Sequence, residues 1–502
     1  MVTITSLNLD PAADILNPIY SPVHRRPHRD VLCMLRALIM MTLLKIKGIT
    51  EWVERMRAMP LFAILAGFDP DDTPGVGTYY DLMKRIIDGP YQKPCEHIVK
   101  RSSLDTGKHL RNIPSEKEQK KDDQNPNQSQ SEKLVKELLP KAGQPRSNDF
   151  EKVLDDLLFK IGIIPSVEQG LIKGLEHLTV TGDGSILISA ASPRGKPTCS
   201  CKDEGNNNCE HARSYTSPTA TWCYDAYRDT FFFGDRYYHL ITSQNGHDFP
   251  LSTIMPGGNE SDYTLSIKGL DHFLKTVREN NSGMHIDFFC GDGHHDSYAH
   301  YTYLAAKQIF PVIPLSKNSK KSFPHLSDST LKLDTDGTPL CPAGERMRHL
   351  MFDKKKQTHV YVCPVKRNTH RNGKCIYVTH LDECPRKQDC APQSSLGPLV
   401  YIKSDTDPRL YPPLPRDSKK FKEIMNQRSA TERCNYLNDT YRVDRAHRNA
   451  DYGLIRLTLA NIVEHAVIRY SEAVKQSSEN EVFNQIIKQI APEHQTHLQK
   501  VA

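Results

Sequence analysis

The chain has no Gly-x-Ser-x-Gly elbow, and no strand-adjacent serine has a matched base nearby, which argues against nucleophilic hydrolase chemistry. Phosphate-loop and dinucleotide fingerprints are missing too, which removes the common nucleotide-dependent classes. Long hydrophobic runs are also absent from the N-terminal part. Its longest apolar stretch, Ala37 to Leu44, is bounded by Arg36 and Lys45, whereas a bilayer span needs ~20 apolar residues. The opening MVTITSLNLDPAAD lacks the basic and apolar regions of a secretory signal, so a cytoplasmic protein without a membrane partner is expected. In that compartment the 13 cysteines point to metal ligands or free thiols rather than disulfides. No internal repeat is evident.

What remains is a loop-rich chain of 502 residues with 33 prolines, long enough for two or three domains. Its net charge is only +6, but residues 341–420 carry 16 Lys and Arg against 8 Asp and Glu. A basic excess confined to one segment suits a nucleic-acid-facing surface. Residues 1–96 read as an all-α N-terminal domain. Val31, Leu35, Leu38, Ile39 and Leu43 form one helical stripe, and Thr78 with Asp81 resembles a capping box at the start of a further helix. Residues 97–149 are polar and poor in aromatics, and read as a flexible linker. A short amphipathic helix around Phe150–Ile161 ends it.

From 150 to 317 the pattern becomes three strands (TVTGDGSILISA, DTFFFGDRYYHLIT, DFPLSTIMPGG), then helix, strand, helix and strand. That order predicts a mixed α/β sheet flanked by helices. Residues 318–420 form a basic, cysteine-containing, β-rich insertion. Helical periodicity resumes over 421–476, and 477–502 make a tail.

Three acidic residues stand out. Asp183 and Asp292 lie where apolar strands give way to glycine, each between two glycines, and Glu432 lies on a helical pattern. Such carboxylates can hold two divalent metals, Mg²⁺ or Mn²⁺, over a phosphodiester. The flanking glycines are expected to leave room for a backbone or substrate to approach. Two groups of cysteines are candidate zinc sites. Cys341, Cys363, Cys375, Cys384 and Cys390 in the proline-rich insertion are the favoured set, because a segment with little core benefits from a metal staple. Cys199, Cys201, Cys209 and His211, in the pattern C-x-C-x7-C-x-H, are the less favoured set, since that is not a standard finger spacing.

In combination these segments resemble the DDE transposases of bacterial insertion sequences, across about residues 29–95 and 175–470. VTGDGS is similar to the family's first-aspartate strand, FFCGDGHHDSYAH to its second-aspartate motif and RSATERCNYLND to its glutamate helix. The resemblance implies an RNase H-like catalytic domain, with the β-rich insertion placed before the last catalytic helix. It implies Asp183, Asp292 and Glu432 as a triad holding two Mg²⁺ or Mn²⁺ ions. The implied activity is cleavage at element ends and strand transfer to target DNA, by a homodimer on terminal inverted repeats in the nucleoid. Arg428, four residues before Glu432, would orient it or touch a phosphate; Arg433, Arg442 and Arg236 are further DNA-contact candidates. The chain departs from the family at several places. His295 stands where a Tyr is usual, Arg236 and Tyr238 replace a Lys and a His, and Met425 and Asp439 replace a Tyr and a Lys. The alternatives are a metal nuclease that does not join ends, and an inactive, zinc-stabilised DNA-binding relative.

Overall fold

In this computed structural model the described residues are 2–5, 7–20, 28–89, 98–99, 129–146, 149–207, 209, 211–225, 229–257, 260–316, 331–334, 337–353, 355–371, 374–379, 384, 390, 397–443 and 447–476. They fall into two compact units, 1–286 with 429–502, and 287–428.

In the first unit, helices α1 (Asp10–Leu16), α2 (Val31–Leu43), α3 (Ile49–Ala58), α4 (Pro60–Ala66) and α5 (Val76–Asp88) come first. Asp30 caps α2 by accepting from the Cys33 amide, and α2 is buried over most of its length. Gly67 ends α4 in the left-handed region at φ +93°, where an added Cβ would also strike the Cys33 sulfur. The expected capping box at Thr78 does not form. α5 starts earlier, with Gly75 as its uncapped N-terminus, and buries Tyr79, Leu82, Met83 and Ile86. Rather than standing apart as a domain, these helices belong to the same unit as the distant C-terminal helix, against which α2 packs.

Part of the expected linker, 100–128, lies outside the described residues, but its end is folded. Strand β1 (Ile98–Val99) is followed by α6 (Gln130–Leu138), which opens with a reciprocal capping box between Ser129 and Glu132. Beyond it the buried Arg146 reaches Asp155 at 2.9 Å, Asp156 at 2.8 Å and Glu279 at 3.0 Å. Asp155 and Asp156 lie on α7 (Phe150–Leu158), whose apolar face is buried as its periodicity predicts.

The sheet of this unit is antiparallel. β2 (Leu178–Ile188) pairs with β6 (Thr230–Gln244), from Thr181 opposite Ile241 to Ile188 opposite Gly234. Between them in sequence are the short hairpin strands β3 (Lys196–Pro197) and β4 (Arg213–Ser214), and β5 (Thr221–Asp225). β5 and β7 (His247–Gly257) both pair with β6. Helix α8 (Asp262–Glu279) packs on one sheet face. Gly182 and Gly184 make that packing possible: a Cβ on Gly182 would enter the Tyr238 ring, and one on Gly184 would meet Asp262 and Leu265 of α8. On that face these glycines leave room for the Tyr238 ring and for α8.

The second unit opens with β8 (Ile286–Cys290), α9 (Tyr298–Ala306) and β9 (Phe310–Val312). β9 runs parallel to β8, as a helical crossover requires. Three strands, β10 (Arg348–Asp353), β11 (Thr358–Val362) and β14 (Val400–Lys403), form an antiparallel sheet, and β12 (Lys366–Arg371) pairs with β13 (Lys374–Thr379). Helix α10 (Lys419–Met425) joins Cys290 and Val312 through Phe421 and Ile424 in one apolar cluster. The expected insertion, 318–420, is thus part of a larger unit that includes β8, α9 and β9. The 421–476 helices divide: α10 belongs here, while α11 (Ser429–Thr440) and the long α12 (Ala450–Gln476) complete the first unit. The molecule is α/β with mixed strand pairing, flanked by helices. Among the described residues no helix is long and apolar enough to cross a membrane.

Candidate functional site

Asp183 stands near the middle of β2, half-buried, its Oδ1 accepting the Gly184 amide at 2.9 Å. The β2–β6 register sets it opposite His239 and sets Ser185 opposite Tyr237, so these four side chains share one sheet face. The glycines point the other way, towards α8.

α11, the helix that carries Glu432, packs on β2, β6 and β7. It is fixed there by a buried polar chain. The Asn438 amide donates to Nε2 of His239 at 2.7 Å, which makes Nδ1 the protonated nitrogen, and Nδ1 donates to Thr253 Oγ1 at 2.6 Å. Asn461 of α12 donates to the same Thr253 oxygen at 2.7 Å. Burial pushes His239 down to about 3, so it stays a neutral bridge. Beside it Tyr237 donates to Asn435 Oδ1 at 3.4 Å, and burial pushes its phenol up to about 12. Glu432 itself is exposed, on the turn of α11 preceding Asn435. Asp183 and Glu432 thus belong to one unit, with the glutamate's helix packed on the aspartate's strand.

Asp292 belongs to the second unit, just past the C-terminal end of β8. Its Oδ1 accepts the His294 amide at 2.9 Å and pairs with His295 Nδ1 at 2.8 Å, while Oδ2 pairs with His294 Nδ1 at 2.9 Å. Burial opposes its charge, but the His295 contact and the His294 amide and ring outweigh that and hold the carboxyl well below the usual range. Gly291 is needed for this arrangement, since a Cβ there would press into the His295 ring. The side chain of Asp296, next in the motif, is fully buried and bound by Arg409 through two bonds of 2.8 Å. It is a structural anchor, not an open ligand.

The arginines expected to touch DNA have diverse settings. Arg433 is held by Asp248 of β7 through Nε at 2.5 Å and Nη2 at 2.8 Å, with Nη1 on Ser429. Arg236 pairs with Ile186 in the register and so faces away from Asp183; its guanidinium lies 3.7 Å from Asp262. Arg428 ends the second unit and lowers the Cys290 thiol that burial pushes up to about 12. Arg442 is exposed, just beyond α11.

Among the described residues the group whose ligand atoms converge for a metal is Cys199, Cys201, Cys209 and His211, all within 4.8 Å of one another. β3 and β4 pair Lys196 with Ser214 and Pro197 with Arg213, and beyond that short ladder the chain bends and turns, with the Asn206 amide on the Cys201 carbonyl at 2.8 Å, so that the four donors come together. Cys199 Sγ lies 3.5 Å from Cys209 Sγ, and Cys201 Sγ lies 3.2 Å from His211 Nδ1. Zn–S bonds of about 2.3 Å give a tetrahedral edge near ~3.7 Å, so the donors need only a small expansion around an ion. Hydrogen bonds from Cys201 and Cys209 bring the Cys199 thiol down to about 7, while Cys199 pushes Cys201 up to about 11. The favoured set fares differently. Cys341, Cys363, Cys384 and Cys390 form no such group among the described residues, and the side chain of Cys375 lies outside them. Cys341 is instead buried.

No protein-family model matches the chain, and no curated protein matches its sequence.

Proposed function

We propose that this protein is a DDE-type, divalent-metal-dependent DNA strand transferase with an RNase H-like catalytic architecture. Asp183, Asp292 and Glu432 are its metal-binding carboxylates. The observation that carries the reading is the packing of the Glu432 helix on the Asp183 strand, clamped by the Asn438–His239–Thr253–Asn461 chain. A clamp of this kind, rigid and fully hydrogen-bonded, is what a precisely held metal site requires. The donor set, carboxylate oxygen only, suits the hard cations Mg²⁺ and Mn²⁺. Bound there, such ions would activate the attacking oxygen and stabilise the leaving one. The chain's own residues supply the orientation: His294 and His295 keep Asp292 ionised, and Asp248 fixes Arg433 on α11. The substrate is DNA bearing the terminal repeats, paired by a homodimer. The Cys199, Cys201, Cys209 and His211 cluster holds a structural Zn²⁺, because three sulfurs and an imidazole suit zinc and not magnesium.

A DNA-binding protein without chemistry is the second reading. It is favoured by the Asp292 carboxylate, both of whose oxygens are already engaged by His294 and His295. A strand-transfer assay with Mg²⁺ on a labelled DNA end separates the readings. Joined products support transfer, nicks alone support a nuclease, and binding without cleavage supports the second reading.

A further inference from the structure

Two adjoining cavities of the first unit share Lys47 and Glu51 in their walls. The smaller, about 570 Å³, lies among Lys45, Lys47, Arg55, Arg442 and Tyr436. The larger, about 1140 Å³, adds Lys196, Arg448 and Tyr80. Lysines and arginines outnumber carboxylates on these walls, where Glu51, Glu54 and Asp439 are the acids.

Lys45 and Arg442 are the informative pair. Both follow helix C-termini, α2 and α11, and both adopt the left-handed region, at φ 59° and φ 61°. Glycine or asparagine normally fills that position, because a longer side chain is strained there. A cation near a helix C-terminus gains from the dipole, which accounts for one charge at each end. It accounts likewise for Arg55, in the last turn of α3 and paired with Glu51 at 2.8 Å, but not for Lys196 and Arg448 on the same walls. The presenting loop is also fixed, since Arg456 of α12 donates to the Lys47 carbonyl at 2.8 Å and to that of Ile46 at 3.4 Å. Tyr436 is 71 % exposed, an unusual setting for a large aromatic, and lies one helical turn after Glu432 on α11. Tyr80 is 45 % exposed and set edge-on to Tyr452.

Cations along a groove, interleaved with exposed aromatic rings, are the chemistry of single-stranded nucleic-acid binding, with phosphates on Lys and Arg and bases on the rings. We infer that this groove binds a single-stranded stretch of nucleic acid, its phosphates on Lys45, Arg442 and Arg448 and a base on Tyr436. The inference rests on the nucleic-acid reading above and adds the strand state and the path, which ends one helical turn from Glu432. Its cations come from outside the basic segment 341–420 that the sequence singled out.

The test is fluorescence anisotropy of the full chain with a labelled 20-nucleotide single strand, without divalent metal, over a salt series. Lys45→Glu with Arg442→Glu should weaken binding at least about tenfold and flatten the log–log salt slope by about 1.4, two phosphate contacts' worth. Tyr436→Ala should weaken it at least about fivefold with the slope unchanged, because stacking carries no counterion term. Unchanged affinity and slope in the double variant, with wild-type binding intact, would overturn the groove and leave strand transfer standing. A wild-type chain that binds duplex and ignores the single strand would likewise overturn it. A chain that binds neither would remove both the groove and the function proposed above. Circular dichroism of each variant separates a lost contact from a lost fold.

Discussion

Asp183 and Asp292 have nearly the same neighbours in sequence, a strand on one side and a glycine on each flank, yet the structure treats them differently. Asp183 lies within a paired antiparallel strand, and its flanking glycines admit Tyr238 and α8 on the opposite face. Asp292 follows the end of a strand in a parallel pair and is gripped by two histidines from its own turn. One aspartate is positioned by the sheet and the other by its loop. The same dipeptide pattern therefore identifies a place where a carboxylate is displayed, but not the means by which it is held.

The largest expected effects break this comparison at the acids. Asp183→Asn and Glu432→Gln should each lower Mg²⁺-dependent strand cleavage by ~10²–10³ or more, with DNA affinity within about twofold of wild type. Asp292→Asn should do the same. His295→Ala, which removes one support of Asp292, should cost roughly 10–100-fold, the usual effect of removing a group that supports a ligand. Equal activity in His295→Ala and wild type would mean that the histidine grip has no part in the chemistry.

Next in size are two buried arginines, one in each unit. Arg409→Met leaves the buried Asp296 carboxylate without its guanidinium, and Arg146→Met takes from Asp155 and Asp156 the arginine they share, leaving only His272 and Lys152 beside them. Each should destabilise its own unit by about 3–5 kcal/mol. Hydrogen exchange should report the loss within 287–428 for Arg409 and in the rest of the chain for Arg146. A loss spread equally over both would contradict the division into two units.

Metal in the hairpin is a smaller and more local effect. Elemental analysis of protein purified without chelator should find about one zinc per chain, lost in Cys201→Ser and Cys209→Ser but kept in Cys363→Ser. Zinc retained in the first two variants would return the site to the insertion cysteines.

The smallest effect is in acid. Burial works against the charge of Asp156, but Lys152 and Arg146 outweigh it and lower the carboxyl, and Glu279 is lowered in the same way by the Arg146 amide and guanidinium. A depressed carboxylate stabilises the fold above its unfolded value, and that contribution fades as pH falls through the folded one. Urea midpoints measured at about pH 5 and pH 3 should therefore drop more for the wild type than for Arg146→Met. An equal drop would remove this cluster from the acid response.

Much of this was legible in the sequence because it is local. The three main strands, the helix between Asp262 and Glu279 and the apolar face of α7 follow from periodicity alone. Contacts between distant segments were not legible. His239 reads as an ordinary strand residue until register brings Asn438 to it, and Lys45 and Arg442 meet only through folding. The cysteine hairpin lies between these cases. Its C-x-C and C-x-H halves stand just inside two short paired strands, and the four donors converge in the bend and turn between them, a convergence that the unusual spacing obscured. Prolines and charge drew attention instead to the second cysteine group, although composition says little about which sulfurs converge.

The most direct test of the central claim is a strand-transfer assay on a labelled DNA end, comparing the full chain with Asp183→Asn at matched DNA occupancy. Mg²⁺-dependent joined products are expected from the wild type and none from the variant. Joined products from Asp183→Asn at wild-type yield, or no metal-dependent cleavage by either protein, would contradict it.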